Sequence, residues 1–139
     1  MFLRNGATQT APLVGKYCGT SIPQKIRSFS NSIYLEFHSD SSIEEKGFEI
    51  LWDSTITGCF TLLNMHMRFL LTLLSGCGGS IANSHVGSIT SPNYPREYGV
   101  NALCEWRITT SKGSTLLLMF SDINLEQGNT ECIFDSLEV

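Results

Sequence analysis

Charge is scarce in this chain, and no long run of one sign occurs. Asp, Glu, Lys and Arg make up 16% of the 139 residues, against about 25% in an ordinary soluble domain. The formal net charge of −4 has no basic run behind it. That excludes the electrostatic footprint of a nucleic-acid-binding protein and leaves no patch for an acidic phospholipid surface. No C-x-x-C occurs and no Cys/His group has zinc spacing, which removes the common redox and zinc motifs. No serine stands in a G-x-S-x-G turn, and His38, His66 and His85 have no evident nucleophile to serve. Glu126, Glu131 and Asp135 could be drawn as paired hydrolytic carboxylates, but nothing in the pattern builds a cleft around them. Catalysis is therefore not expected. Glycosylation sequons of the N-x-[ST] type are absent as well. The opening MFLRNGATQT lacks the apolar core of a signal peptide. No uninterrupted apolar stretch reaches the ~20 residues of a membrane-spanning helix.

What the chain does have is cysteine, small polar residues and short alternating segments. Five cysteines are many for a cytosolic protein and an odd number for a closed disulfide framework. They point to a secreted or cell-surface setting, and with no leader in view the expectation is a piece of a longer protein. NSIYLEFHSD puts Ile33, Leu35 and Phe37 on one face and Tyr34, Glu36 and His38 on the other. GFEILWDS repeats the pattern with Phe48, Ile50 and Trp52, and Trp106 and Ile108 alternate with Glu105 and Arg107. This is the period-2 signature of half-buried antiparallel strands. STLLLMF is continuously apolar and predicts a strand covered on both faces. Trp52, Trp106, Phe120 and Phe134 fall at strand spacing and are expected in the core. Tyr94 and Tyr98, flanking Pro95, are expected to be partly exposed, and His85 to be a solvated loop residue.

Residues 60–76, FTLLNMHMRFLLTLLSG, break the alternation. The run is short and interrupted for a bilayer span, and LSGC, where it meets Cys77, matches a bacterial lipobox only over four residues. Deleting 60–77 joins TGC to GGS. The expectation is an insert arising from a translated intron or a misplaced exon boundary, helical or poorly ordered, with few contacts to the flanking strands.

The stretch from Cys77 onward combines cysteines bracketing SPNYPREYG with an acidic loop, LEQGNTECIFD, between two strand-like segments. Disulfides and loop carboxylates on a β scaffold suggest an extracellular calcium-and-disulfide module. The order C-G-G, S-P-N-Y-P-x-x-Y, C-x-W-x-I, F-x-x-x-x-L-E and C-x-x-D-x-L-E-V resembles the first half of a CUB domain. The segments APLVGKYCGT, SNSIYLEFHSDSS and KGFEILWD resemble its second half. The wording is most similar to the repeats of multi-CUB endocytic receptors, and TITGC resembles the junction between repeats.

The resemblance implies an all-β, jelly-roll-like antiparallel CUB sandwich, assembled here in permuted order. Residues 1–58 would close one repeat, 59–76 would be the insert or linker, and 77–139 would open the next repeat. It also implies two disulfides, Cys77 with Cys104 and Cys18 with Cys132, with Cys59 duplicating Cys77. A calcium site would use Glu126, Asp135, Asp40 and Ser42, with Tyr98 orienting Glu126. Read alone, these acids are equally ordinary solvated residues on turns. The implied function is calcium-dependent binding of protein ligands outside the cell, as part of an endocytic receptor. The alternative is an accessory CUB domain of a secreted protease.

Overall fold

Alternation of apolar and polar residues only stabilises a strand that has another sheet to bury its apolar face against. The computed structural model, which describes residues 6–54, 73–75, 77–128 and 130–139, shows how that burial is met. Four strands come from the N-terminal segment: β1 (Lys16–Tyr17), β2 (Ile26–Arg27), β3 (Ser32–His38) and β4 (Gly47–Asp53). Six follow: β5 (Leu73–Ser75), β6 (Gly79–Ala82), β7 (Val86–Thr90), β8 (Leu103–Thr109), β9 (Leu117–Asn124) and β10 (Ser136–Glu138). None of the described residues is helical.

The strands form two five-stranded sheets, ordered β1-β10-β3-β8-β6 and β2-β9-β4-β7-β5. Strand β3 lies between β10 and β8, and β4 lies between β9 and β7, antiparallel in every case. Both long N-terminal strands are thus hydrogen-bonded on each edge to strands from the C-terminal segment. Neither segment could complete a sheet alone, because its strand edges would stay open. The all-β sandwich expected from the sequence is the arrangement seen, with strands of both segments in each sheet.

One core joins the sheets. Trp52 and Trp106 belong to the same buried cluster, with Ile33, Leu35, Phe37, Phe48, Ile50, Ile89, Ile108 and Leu118. Phe48 meets Trp106 edge-on at 5.7 Å and Phe37 at 5.5 Å, interlocking side chains of opposite sheets. Each large side chain removed from water contributes about 1.5–3 kcal/mol. Trp52 lies across Gly87 on the neighbouring strand, where a Cβ would sit 2.7 Å from the indole nitrogen. Only glycine leaves room for the ring there.

Several expectations are corrected. The STLLLMF strand is not covered on both faces: Leu116, Leu118 and Phe120 are buried while Leu117 and Met119 are half-exposed. The short Ile22–Lys25 stretch shields that outer face only in part, leaving a shallow groove against Leu51 and Met119. Phe134 is outside the core and 38% exposed, because Cys132 takes a left-handed conformation (φ 52°) and carries the next residues outward before β10 begins. Tyr98 is fully buried, its ring edge-on to Phe37 at 5.1 Å. Tyr34 is also buried despite facing outward, beneath the Arg107 guanidinium at 5.6 Å. Leu73–Ser75 is neither helical nor detached: it pairs in parallel with β7. The rest of the expected insert, with Cys59 and His66, lies outside the described residues.

Candidate metal centre

Strands β3 and β9 end at the same edge of the sandwich, and β10 begins there, so the loops leaving them converge. Asp40 follows β3, Glu126 follows β9 and Asp135 precedes β10. Carboxylate oxygens of the three lie within 4.8 Å of one another. Asp40 comes from the N-terminal segment and the other two from the C-terminal one, 86 and 95 positions further on, so only the interleaved sheets bring them together.

Hydrogen bonds fix each carboxylate. Asp135 is fully buried; its Oδ1 accepts from the Asp40 N–H at 2.8 Å, and its Oδ2 accepts from the Tyr98 hydroxyl. The Tyr98 oxygen in turn accepts from the Glu126 N–H at 3.2 Å. Burial, then the hydrogen bond to Asp135, push the Tyr98 hydroxyl well above its ordinary pKa, so it stays a neutral donor. Ser42 donates through its N–H and its hydroxyl to Asp40 Oδ1, both at 2.8 Å, and the hydroxyl lies 3.3 Å from Glu126 Oε2. Tyr98 therefore holds the Asp135 side chain through its hydroxyl proton and Glu126 through its backbone N–H.

Three carboxylates this close repel one another unless a cation lies between them. Among the described residues, the ion pairs of lysine and arginine are Lys16–Glu138, Lys46–Asp122 and Arg107–Glu105, none of them at this end cluster. The donor set is all hard oxygen, the type that calcium takes at about 2.3–2.6 Å. Oxygens sharing one such ion lie at most about 5 Å apart by that bond length, and the observed spacing fits.

Both cysteine pairs are bridged, Cys18 with Cys132 (Cα–Cα 5.6 Å) and Cys77 with Cys104 (4.7 Å). The first crosses 114 positions and ties the two segments together. His85 is exposed, as expected, yet its Nδ1 lies 3.2 Å from Ser54 Oγ, a contact the sequence did not signal. Ser54 is buried, and its oxygen accepts from the Thr110 hydroxyl. The register also sets Glu36 of β3 directly against Glu105 and Glu138, a row of like charges invisible in any one strand.

Comparison with known proteins adds a second line of observation. The sequence pattern described as "CUB domain" matches residues 1–52 and 77–139. Cubilin of Rattus norvegicus is 38% identical over 137 residues, covering 99% of this chain and 3% of that protein. The Cubilin homolog of Drosophila melanogaster is 36% identical over 137 residues, with the same coverage of 99% and 3%. Tolloid-like protein 2 of Homo sapiens is 34% identical over 137 residues, 99% of this chain and 11% of that protein. The chain thus spans about 3% of the length of the cubilins it matches. No solved structure matches it.

Proposed function

The chain belongs to the CUB domain family, and from that premise we propose that it is a calcium-dependent protein-binding module of a multi-CUB endocytic receptor resembling cubilin. It is extracellular or at the cell surface, the setting in which its two disulfides persist. The observation that carries the calcium reading is the meeting of Asp40, Glu126 and Asp135 at one end of the sandwich.

In this reading the three carboxylates and the Ser42 hydroxyl hold the ion, while Tyr98 sets the Asp135 side chain and the Glu126 backbone. Calcium supplies positive charge that cancels the repulsion among the carboxylates. The chain's own residues then keep three loops from separate strands in one conformation. Ordered loops cost less entropy to immobilise against a partner, which is how an ion can govern protein binding without touching the partner. Carboxylate edges left facing solvent would receive a Lys or Arg of the ligand. Within this proposal residues 1–58 close one repeat, 77–139 open the next, and 59–76 are an insert between them. RNA joining the codons for TGC directly to GGS would support the insert, and abundant in-frame transcripts through FTLLNMHMRFLL would refute it.

Likeness to Tolloid-like protein 2 supports a second reading, an accessory CUB domain of a secreted protease. A zinc-protease H-E-x-x-H in the flanking sequence would favour it, and an uninterrupted row of CUB repeats would favour the receptor.

Thermal melting in calcium chloride and in EGTA tests the calcium reading. An ion that binds only the folded chain raises the melting temperature. The unmutated chain should melt higher in calcium, and an unchanged midpoint would refute the site.

A further inference from the structure

The segment between Glu126 and Asp135 carries two of the three clustered carboxylates, and both of its ends are fastened to residues 18 and 19. At the start, Gly19 and Leu125 exchange backbone hydrogen bonds, Gly19 N–H to Leu125 O at 3.0 Å and Leu125 N–H to Gly19 O at 3.1 Å. Gly19 has φ +70° and packs so closely that a Cβ there would meet Gln127 Oε1 at 2.6 Å. Towards the other end, Cys132 is bridged to Cys18 and stands three positions before Asp135. Inside the segment, Gly128 folds against Ile133 and Phe134, with 2.7 and 2.6 Å for an added Cβ. Residues 18–19 thus form a clasp across the base of the loop. The ladder holds Leu125 beside Glu126, the bridge holds Cys132 near Asp135, and the spacing of the two carboxylates is set between them.

We propose that the Cys18–Cys132 bridge is a positioning device for the cation site, so that bridge and calcium strengthen each other. The proposal rests on the calcium reading above. With the bridge closed, the loop ends cannot separate and the carboxylates are held near one another before an ion arrives. With the bridge open, the Gly19–Leu125 ladder alone fixes one end, and part of the binding free energy goes into ordering the other. Coupling between two sites is reciprocal. The factor by which the bridge tightens calcium is the factor by which calcium shifts the equilibrium of the bridge towards the disulfide. Reduction by a dithiol such as dithiothreitol proceeds through a mixed disulfide. Two electrons pass to the bridge, two protons end on Cys18 and Cys132, and the reagent closes to its cyclic disulfide.

The test uses the full chain, calcium as the only probe, and the second bridge as internal control. Calcium affinity is measured calorimetrically for the unmutated chain, for C18S/C132S and for C77S/C104S, well below each melting temperature. We expect C18S/C132S to bind at least about tenfold more weakly, within the usual range of coupling, and C77S/C104S to bind as the unmutated chain does. Amide exchange of residues 126–128 and 130–135 in EGTA should be faster in C18S/C132S than in C77S/C104S, a readout that needs no metal. If C18S/C132S does not fold, the unmutated chain answers instead. It is equilibrated in graded dithiothreitol with calcium or EGTA, and each cysteine pair is scored by alkylation and mass spectrometry. Calcium should protect Cys18–Cys132 more than Cys77–Cys104. Equal calcium affinity in C18S/C132S and the unmutated chain, or equal protection of both bridges, would overturn the proposal while leaving the calcium site standing. Failure of the unmutated oxidised chain to bind calcium would overturn both.

Discussion

The two ends of this sandwich solve the same problem, polar groups at the rim of a core, with different chemistry. One end gathers Asp40, Glu126 and Asp135. The other gathers the uncharged Ser28, Asn31, Ser54 and Thr110 beside one another, with the buried acid Asp53 ending β4 next to Ser54. There the Thr110 hydroxyl donates to Ser54 at 2.9 Å, and the Asn31 amide donates to the Thr110 carbonyl at 2.7 Å. The Leu116 N–H donates to the Ser28 hydroxyl, also at 2.7 Å. Hydroxyls and amides both donate and accept, so a neutral network can close on itself. Ionised carboxylates only accept, and the donors around them supply hydrogen bonds without supplying countercharge. The hydroxyl–amide network closes on itself at one end, and at the other the proposed cation would supply the countercharge that three clustered carboxylates lack.

Removing an acid should show this most strongly. Asp135→Ala leaves the buried Tyr98 hydroxyl and the Asp40 N–H without their acceptor. In calcium it should lower stability by about 3 kcal/mol, within the range for breaking a buried, hydrogen-bonded charge, and abolish the calcium increment. Urea denaturation in calcium and in EGTA measures both. At the hydroxyl–amide end, Ser54→Ala removes the acceptor of Thr110 and should cost about 1–2 kcal/mol. That cost should be the same with or without calcium, and a calcium-dependent cost would mean the ends are not independent.

Glu126→Gln should change sign with calcium. Without calcium it relieves repulsion and should stabilise by less than about 1 kcal/mol, as for partly exposed charges. With calcium it removes a ligand and should destabilise. A weaker effect is expected beside the acidic end, where the Lys46 ammonium, just before β4, and then the Tyr94 hydroxyl hold the Asp122 carboxyl below its usual range. A depressed carboxylate stabilises the fold above its unfolded pKa, about 3.9. That stability is lost as pH falls through the lower folded value. Lys46→Met should therefore flatten the pH dependence of melting in this acid range, by less than about 1 kcal/mol because both groups are partly exposed.

Much of this was legible in the chain, and the failures have identifiable causes. Alternation in NSIYLEFHSD and GFEILWD marks strands because side chains in a strand point to opposite faces, whatever the tertiary context. The meeting of Cys18 with Cys132, and of Asp40 with Glu126 and Asp135, was implied by the resemblance to CUB sequence together with the open strand edges each half would have alone. Phe134 was misjudged because a single left-handed residue, Cys132, shifts everything after it out of strand phase. Tyr98 was misjudged because a turn-rich neighbourhood reads as surface, while the ring is drawn inward by Phe37 and by the carboxylate it serves. Leu73–Ser75 gave no strand signal, since its pairing depends on the free edge of β7 rather than on its own three residues.

One cation site shared by the two segments would need ligands from both. Isothermal titration with calcium of the unmutated chain, Asp40→Asn and Glu126→Gln tests it. The prediction is one ion per chain, with affinity lost alike when the change lies in the N-terminal segment or in the C-terminal one. Calcium binding that survives Asp40→Asn undiminished would contradict a site built across the two segments.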